Sequence, residues 1–594
     1  MTTSPLLAGL QQRAFGIALF AAIVLIIVQA VMDGSGMLQN FAEQGNDDIL
    51  RLVMVRDWLA GQGWFDTTQY RLVPPDGVVI HWSRYIDAGI AALIVPLSVF
   101  MPMGQAELIA VAIWPTLIMI ITLTLVAFGT RHIFGTVAAC FAILCFTFWP
   151  VTGDLHSGAG NLDHHNVQLL MMVLLAFGLI WPDRPVAAGV VGGLAGAFSL
   201  AIGLESLPFI VIGGLGFVIR ALFLDTTIGP RLLTSFCAAL GLGSIILFLG
   251  QTAPSRWAAP VCDQLGTPTL ALIGVAIAAS LLPFVMRRTG ISPWLHLSIT
   301  VALTAVGIIA IWPLLAGCLE GPYSDLTPEL QEMITSRIIE ARPGLTYAQT
   351  HTGPFIIFTL PVFTALIAGA VLWSRAGPET LTQETRRALG LLLMLCLLGT
   401  AMLLVQMRTV IMVAAVVPVI GGCVATALLQ GYLRRRDAVQ GLLGLLVATA
   451  MISPTSVAQP FSALLVREQS ASREAAADCR NLASLESLNA VAPGVILAPM
   501  NFGSPMLFAT HHAVLAAPYH RSPEALKNGI LPFEMTEEEL RDYIGQTGAT
   551  HLLLCRGATY RGSFAQHLVE GGNADWLQPV RVADDGQMLF ALTQ

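Results

Sequence analysis

The stretch from residue 45 to residue 57 reads GNDDILRLVMVRD and follows the first long apolar segment of the chain. Its adjacent acids, Asp47 and Asp48, stand just beyond an apolar run from about residue 15 to residue 31. Carboxylates at the mouth of a membrane bundle are costly unless they bind a metal, a proton or a substrate. A solvated loop with ordinary surface acids is the alternative interpretation. The stretch therefore predicts a functional site at the end of a bundle of membrane helices.

The composition is that of a polytopic membrane protein. Of the 594 residues, 55% are hydrophobic and 11% are charged, and the mean hydropathy is +0.72, values that a soluble chain of this length does not reach. The net charge of -7, with no basic tract beyond Arg434 to Arg436, argues against nucleic-acid binding. The first apolar run lacks a small-residue cleavage site, so we interpret it as an uncleaved anchor.

The hydropathy pattern predicts about thirteen membrane spans in windows of about 20 residues. The apolar run from residue 86 to residue 101 is short and contains Pro96, so we assign it to a re-entrant or interfacial segment. The predicted spans lie near residues 13–32, 106–128, 133–150, 165–181, 186–203, 207–224, 231–250, 268–286, 292–315, 355–374, 388–406, 410–432 and 438–455.

The basic residues between these spans predict a cytoplasmic N-terminus, because that orientation places nearly all of them on one side. They are Arg131, His132, Arg184, Arg220, Arg287, Arg288, Arg386, Arg387 and Arg434 to Arg436. The outer face then carries a first outer loop (33–105), a loop around Cys262, a large outer loop (316–354) and everything after about residue 456.

Four of the nine cysteines fall outside the predicted spans, on the side where disulfides persist. We favour the pairs Cys262 with Cys318 and Cys479 with Cys555, with free thiols as the alternative. The other five, within spans, are expected to act as small apolar side chains.

After residue 456 the composition becomes that of a soluble domain. The runs GVILAP, AVLAAP and THLLLC are typical of buried strands, and PEALKNG and TEEELRDYIGQ of helices. At about 130 residues this part is long enough to bury its own core. We therefore predict a transmembrane domain over residues 1–455 and a small α/β domain over residues 456–594.

Further acids and one arginine are predicted to join Asp47 and Asp48 on the outer face. The loop after the third span, HSGAGNLDHHNVQ, adds Asp163, His164 and His165, and the large outer loop adds Glu340. Oxygen ligands from separate loops, with imidazoles and no thiolate pattern, suit Mg²⁺ or Mn²⁺. Zinc fits less well, because tight zinc sites usually show a third soft ligand.

Arg408 lies in a short turn between the eleventh and twelfth spans, too close to the membrane to project far from it. An arginine at membrane depth is costly unless it pairs with an anion, and a lipid phosphate is the obvious anion there. A side chain that snorkels from a helix end is the alternative.

Four motifs in the same order resemble those of the GT-C superfamily of membrane glycosyltransferases. The resemblance is to the catalytic subunit of oligosaccharyltransferase and its single-subunit prokaryotic relatives. Leu162 stands where the family's second motif has Tyr, and His165 where it has a second acid. The matching positions are Asn46, Asp47, Arg56 and Asp57; Ser157, Gly160 and Asp163; Glu340 and Pro343; and Gln406 and Arg408.

The resemblance implies a GT-C membrane domain in a bacterial cytoplasmic (inner) membrane, with a periplasmic C-terminal domain. It implies that Asp47, Asp163 and Glu340 hold a divalent metal, with His165 at the place of the family's further acid. It also implies that Arg408 holds the phosphate of a polyprenyl-linked sugar donor. Asp48, His164 or His165 then remain as candidate general bases for an acceptor hydroxyl.

The C-terminal domain departs from the family at its acceptor motif. Where the family has Trp-Trp-Asp-Tyr-Gly after a strand, this chain has Pro499 to Gly503, with Asn501 at the place of the carboxylate. The acceptor is therefore expected to be a saccharide or lipid hydroxyl, with a protein acceptor as the alternative.

Three residues of the first outer loop, His81, Trp82 and Arg84, are candidates for binding the substrate together with His164 and Asn501. Anchoring of the loop at the membrane interface is the other interpretation of these aromatics. A transporter or flippase is the main rival function. It is disfavoured because the acids cluster in outer loops rather than at the middle of the bilayer.

Overall fold

The computed structural model describes residues 5–37, 40–153, 155–286, 292–319, 321, 326–337, 342–465, 479–556, 558, 560, 562–583 and 586–593. Glu340, a predicted metal ligand, lies outside the described residues.

Helices dominate the chain up to residue 465. They are α1 (Pro5–Met37), α2 (Asn46–Leu59), α3 (Arg84–Ser98), α4 (Met103–Phe134), α5 (Thr136–Phe148), α6 (Pro150–Gly153), α7 (His165–Ile180), α8 (Pro185–Ile202), α9 (Leu207–Ile219), α10 (Gly229–Gln251), α11 (Thr267–Met286), α12 (Pro293–Ala310), α13 (Trp312–Leu315), α14 (Pro328–Arg337), α15 (Gly344–Thr350), α16 (Thr352–Arg375), α17 (Gln383–Met402), α18 (Val410–Ala414), α19 (Val417–Arg435), α20 (Ala438–Ile452) and α21 (Pro454–Leu465).

Among the described residues, nine helices are long and apolar enough to cross a membrane. The shorter apolar helices α5, α7, α11 and α20 lie at the other four predicted spans. The prediction of a polytopic helical membrane fold is therefore confirmed, and the count of thirteen spans stays a prediction. The run from residue 86 to residue 101 falls largely in α3, a helix of 15 residues that contains Pro96 and is too short to be a candidate span.

Glycines bring α8 and α10 into close contact. A Cβ atom at Gly189 would lie 2.4 Å from the Leu232 carbonyl oxygen, and one at Gly193 would lie 2.4 Å from that of Phe236. Small residues allow helices in a membrane to approach this closely. The packing fixes the end of α8, where the loop to α9 begins.

The C-terminal part folds around a five-stranded mixed sheet, which confirms the predicted α/β fold. The strand order is β4-β3-β5-β7-β6, with β3 parallel to β4 and β5, and β7 antiparallel to β5 and β6. The strands are β3 (Val495–Leu497), β4 (Ala513–Val514), β5 (His551–Cys555), β6 (Leu577–Val582) and β7 (Gln587–Leu592). The helices are α22 (Leu482–Glu486), α23 (Gly503–Ala509), α24 (Pro523–Asn528), α25 (Glu537–Gly545) and α26 (Phe564–Val569).

Both predicted disulfides are present. Cys262 is bonded to Cys318, and Cys479 is bonded to Cys555. The first joins the loop after α10 to the turn that follows α13, and the second joins the start of the C-terminal domain to β5.

The loop between α1 and α4 is attached to the C-terminal sheet. It contains a small hairpin of β1 (Thr68–Gln69) and β2 (Val78–Val79), and Leu72 forms a parallel bridge with Val514 of β4. Arg71 donates hydrogen bonds to the carbonyl oxygens of Leu507 and Thr510. As a result, α2, which carries Asp47 and Asp48, packs against α23 at the junction between the membrane bundle and the C-terminal domain.

Candidate functional site

Asp48 fixes the loop after α6 onto the first turn of α2. Its Oδ1 atom accepts the backbone N–H groups of Leu162 at 2.7 Å and Asp163 at 3.0 Å. Burial and the neighbouring Asp163 carboxylate raise the pKa of Asp48 to about 8. The side chain is therefore largely a neutral acid at pH 7, and its role in the structure is to position the next loop.

Asp163, His164 and His165 form a tight cluster at the start of α7. Asp163 Oδ1 lies 2.6 Å from His164 Nδ1, and Asp163 Oδ2 lies 3.2 Å from His165 Nε2. Burial favours a neutral Asp163, but the two imidazoles outweigh it and hold the pKa of the carboxyl well below its usual value. The cluster thus holds an ionised carboxylate between two imidazoles.

Glu205 joins this cluster from the loop between α8 and α9. Its Oε2 atom lies 3.4 Å from His164 Nε2 and accepts a hydrogen bond of 3.1 Å from the Gln168 amide. Burial opposes charge on His164, but Asp163 and Glu205 raise the pKa of the imidazole to about 10. Glu205 itself remains 31% exposed, so it borders open space beside the cluster.

Arg408 lies near Glu205, and its charge adds to those of His164 and His165 in lowering the pKa of that carboxyl. Its Nε atom donates a 2.9 Å hydrogen bond to the Gln406 side chain. The two terminal nitrogens of the guanidinium have no partner within the part of the chain that the structure describes. This arrangement leaves a fork of N–H donors available to an anion.

The backbone around Arg408 is held by the end of the large outer loop. Met407 N–H donates to the Arg342 carbonyl at 2.9 Å, and Gly344 N–H donates to the Leu403 carbonyl at 2.8 Å. The chain just after Glu340 therefore runs beside the Arg408 turn, although Glu340 itself is not described.

The C-terminal domain supplies the opposite wall of the site. Asn46 donates a 3.3 Å hydrogen bond to Asn501 Oδ1, and the Tyr519 hydroxyl donates a 2.9 Å hydrogen bond to the Asn46 carbonyl. Ser504 lies 2.8 Å from the same hydroxyl. Burial and the Asp47 charge raise the pKa of Tyr519, so Asp47 lies close to this wall. The altered motif thus stands beside the acid pair.

The three candidates from the first loop have different surroundings. Trp82 stacks on the Arg51 guanidinium at 4.4 Å and contacts the Tyr519 ring edge-on at 5.5 Å. His81 lies 4.6 Å from the His520 ring. Arg84 is buried and donates to Asp87 and to the Met54 carbonyl, so it braces α2 against α3. The predicted substrate role of all three stays a prediction.

The cluster of Asp163, His164 and His165 fits a divalent metal ion. Its ligand atoms all lie within 4.8 Å of one another. His164 Nδ1 is buried, and its 2.6 Å contact with Asp163 lacks hydrogen-bond geometry. A carboxylate with two imidazoles can hold a divalent ion, and the choice of Mg²⁺ or Mn²⁺ stays a prediction.

The predicted ligand set is therefore assembled only in part among the described residues. Asp163 and His165 come together as predicted, and His164, predicted to bind substrate, joins them. Asp47 is exposed on the first turn of α2 and is not a member of the cluster.

Glu205 is the site residue that the sequence analysis missed. It is an acid in a three-residue connection between two predicted spans, on the side predicted to face outward. The reasoning that selected Arg408, a charged residue at membrane depth, applies equally to Glu205. That signal was available in the sequence.

Comparison with known proteins identifies relatives by structure and not by sequence. No protein-family model and no curated protein matches the chain. The structure resembles archaeal oligosaccharyltransferase AglB from Archaeoglobus fulgidus in complex with an inhibitory peptide and a dolichol-phosphate. The TM-score is 0.62 at 13% identity, over 97% of this chain and 74% of that one.

Two further structures of the Archaeoglobus fulgidus oligosaccharyltransferase match similarly. The form tethered to an acceptor peptide with the NVT sequon has a TM-score of 0.63 at 15% identity, over 97% of this chain and 74% of that one. The complex with Zn and sulfate has a TM-score of 0.58 at 15% identity, over 96% and 73%. The chain therefore has the fold of this oligosaccharyltransferase, the kind of protein that its motifs resemble. At these identities the likeness concerns the fold alone.

Proposed function

We propose that this GT-C-fold protein transfers a sugar or oligosaccharide from a polyprenyl-phosphate-type lipid donor to an acceptor on the outer face of the cytoplasmic membrane. One observation carries the proposal. The metal-type cluster around Asp163 and the Arg408 guanidinium both lie near Glu205 at one end of the membrane bundle, and two nitrogens of that guanidinium have no partner among the described residues. A site of this kind suits a phosphate leaving group, because cationic groups can neutralise the charge that develops on it.

An apolar cavity supports a polyprenyl chain as part of the donor. It has a volume of about 470 Å³ and lies between α8, α9, α10, α11 and α12, lined almost entirely by aliphatic side chains. Leu200 and Leu207 line it, and they flank the loop that holds Glu205. A lipid tail in this cavity would bring its phosphate towards Glu205 and Arg408. The AglB structure that shares this fold contains a dolichol-phosphate.

The roles of the chain's own residues follow from their contacts. A divalent ion, when bound, would supply a Lewis acid for the donor phosphate. Arg408 would hold that phosphate through the two terminal nitrogens that have no partner among the described residues. Burial and the neighbouring Asp163 carboxylate raise the pKa of Asp48 to about 8, and a His164 that binds the ion has no free nitrogen to accept the acceptor's proton at that position. They are therefore poor general bases, and we assign the acceptor's proton to Asp47, which lies close to the Tyr519 wall.

The acceptor is assigned from Asn501 and its neighbours. A site that recognises a Ser or Thr hydroxyl gains discrimination from polar groups that would otherwise be left unpaired. Here Asn501 already accepts a hydrogen bond from Asn46, and Met500 offers only an adaptable apolar contact. A saccharide or lipid hydroxyl is therefore the acceptor that we propose. A protein acceptor is the second candidate, because a neighbouring structure holds a peptide with the NVT sequon.

A transfer assay with purified, reconstituted protein tests the proposal. It would combine Mn²⁺, a polyprenyl-linked donor extract and either an oligosaccharide mixture or a fluorescent sequon peptide. We expect metal-dependent glycosylation of the oligosaccharides, and Arg408→Gln should lower the rate about 100-fold by removing a charge-stabilising donor. The exposed Arg541 provides a matched control, since Arg541→Gln should leave the rate unchanged.

Two outcomes would contradict the proposal. Movement of the donor across the bilayer without any glycosylated product would support the flippase alternative. Metal-dependent modification of the sequon peptide, lost when its Thr is replaced by Ala, would instead establish a protein-glycosylating enzyme and overturn the assigned acceptor.

A further inference from the structure

A polar cleft of about 410 Å³ lies beside the proposed site, between the β1–β2 hairpin, the loop after α10 and the C-terminal domain. Its walls include Gly77 to Val79, Arg256, Asp263, Arg521 and Ser522, and we call it the arginine cleft. The volume lies in the range of roughly 300–1,000 Å³ that small-molecule sites occupy.

The arginine cleft carries one uncompensated positive charge. Arg521 pairs with Asp263 through two hydrogen bonds of 2.6 Å, so these two charges cancel. Arg256 is exposed and has no charged or hydrogen-bonding side-chain partner among the described residues. The Nη1 group of Arg521 likewise has no described partner. The cleft therefore offers several N–H donors without a described partner and a net positive charge.

Arg256 connects the arginine cleft to the proposed site. It also lines a smaller polar cavity of about 30 Å³ whose walls include His81, Trp82 and Gln251. Trp82 contacts Tyr519, which donates a hydrogen bond to the Asn46 carbonyl beside the acid pair. The small cavity and the aromatic contact of Trp82 thus lie between the arginine cleft and the acids of α2.

We propose that the arginine cleft binds an anionic sugar unit, one that bears a carboxylate or a phosphate. The proposal rests on the proposed function in one respect: it takes the ligand to be part of the saccharide that reacts at the adjacent site. Arginine forks bind carboxylate and phosphate through paired N–H donors. The Asp263 carboxylate repels an anion in the cleft less than it would if unpaired, because Arg521 neutralises it. The remaining positive charge of Arg256 then attracts an anion.

Binding to the full-length protein in detergent tests the proposal without any transfer reaction. The probes are tetragalacturonate, which carries carboxylates, the neutral maltotetraose, and inorganic phosphate. We expect tetragalacturonate to bind about tenfold more tightly than maltotetraose, because a hydrogen bond to a charged group adds that much affinity. Arg256→Gln should abolish the difference, and the matched variant Arg541→Gln should retain it.

Equal binding of the acidic and neutral tetrasaccharides would overturn the proposal, as would an undiminished preference in Arg256→Gln. If inorganic phosphate binds tightly but displaces neither tetrasaccharide, it binds at a site other than the arginine cleft, and this result would also overturn the proposal. Retention of the fold in the variant is checked by its melting temperature, which should stay close to that of the wild type because Arg256 has no described partner to lose.

Kinetics then identify which substrate carries the anionic sugar. An increase in KM for the lipid-linked donor in Arg256→Gln assigns the anionic unit to the donor, and an increase for the acceptor assigns it to the acceptor. The two proposals fail separately. If the protein binds tetragalacturonate selectively but has no transferase activity, the proposal for the arginine cleft holds and the proposed function is rejected. If it has transferase activity but binds both tetrasaccharides equally, the proposed function holds and the proposal for the cleft is rejected.

Discussion

Two clusters in this molecule have the same composition, one aspartate and two histidines, but different surroundings. The first consists of Asp163, His164 and His165, and the second of His81, Asp263 and His520. In both, one ligand atom from each residue lies within 4.8 Å of the others. By residue type and spacing alone, both would be proposed as metal sites.

The carboxylate separates the two clusters. The Asp263 carboxylate accepts two hydrogen bonds of 2.6 Å, one from Nε and one from Nη2 of Arg521, and it lies 3.1 Å from His520 Nε2. Burial alone would raise the pKa of Asp263, but Arg521 holds it well below its usual value. A divalent ion there would have to displace an arginine or lie against one. Asp163, by contrast, contacts imidazoles, which can lose their protons to an ion.

The difference in partners assigns the clusters to different roles. The second cluster joins the loop after α10 to the C-terminal domain through Asp263 and Arg521, and so helps to hold that domain over the site. The first leaves its carboxylate to a ligand. The types and spacing of possible ligands therefore do not distinguish the two clusters, whereas the arginine bound to one of the two carboxylates does.

The largest expected effect comes from Asp163→Asn, which keeps the shape of the side chain and removes its charge. We expect it to lower transferase activity at least about 100-fold, since it removes a proposed ligand of the metal ion that would stabilise the donor phosphate. Mn²⁺ binding, measured by electron paramagnetic resonance, should be lost as well. Asp263→Asn is the matched control and should leave Mn²⁺ binding intact. Equal loss in both variants would show that the comparison between the clusters is wrong.

The membrane fold was predictable because hydropathy depends on local sequence. Each helix that could cross a membrane lies at a predicted span, and the runs around Val495, Ala513 and His551 form strands as predicted. The strands β6 and β7 were not predicted. In β6, Pro579 interrupts the pattern, and the pairing shifts register between Pro579 and Arg581, as is common for proline in an edge strand.

The site was less predictable because its contacts join distant parts of the chain. His164 and Glu205 are 41 residues apart in sequence, and their meeting depends on how α7, α8 and α9 pack. Asp263 and Arg521 are 258 residues apart. The sequence analysis named Asp163, His164 and His165 as candidates from one loop, and their roles stay predictions. The different surroundings of Asp47, Asp48 and His164 depend on burial and neighbouring charges, which sequence patterns do not contain.

A second prediction concerns a substitution that makes the second cluster resemble the first. Arg521→Ala leaves Asp263 with two imidazoles and no competing cation, so we expect the protein to gain a second equivalent of bound Zn²⁺. Without the metal, loss of the ion pair should lower the free energy of unfolding of the C-terminal domain by roughly 2–3 kcal/mol. Zinc stoichiometry by mass spectrometry and hydrogen exchange of α24 are the measurements. A variant that binds no additional zinc would show that Arg521 is not what excludes the ion.

The smallest expected effect is a pH dependence confined to the second cluster. Burial, and then the neighbouring charge of His520, lower the pKa of His81 to about 3, whereas in the unfolded chain it is about 6.5. Between these two pH values the unfolded state binds a proton at His81 that the folded state does not bind. The contribution of His81 to the free energy of unfolding is therefore complete above pH 6.5 and is lost as the pH is lowered towards 3.

In His81→Asn this part of the acid sensitivity should disappear. We therefore expect the melting temperature of the wild type to fall more than that of His81→Asn as the pH is lowered from 7.5 to 4.5. The two melting temperatures should converge or cross over this range. His567→Asn, at an exposed histidine, is the control and should follow the wild type throughout. A difference in melting temperature between the wild type and His81→Asn that stays constant over this range would contradict the prediction. It would mean that the second cluster does not keep His81 neutral and does not exclude additional positive charge.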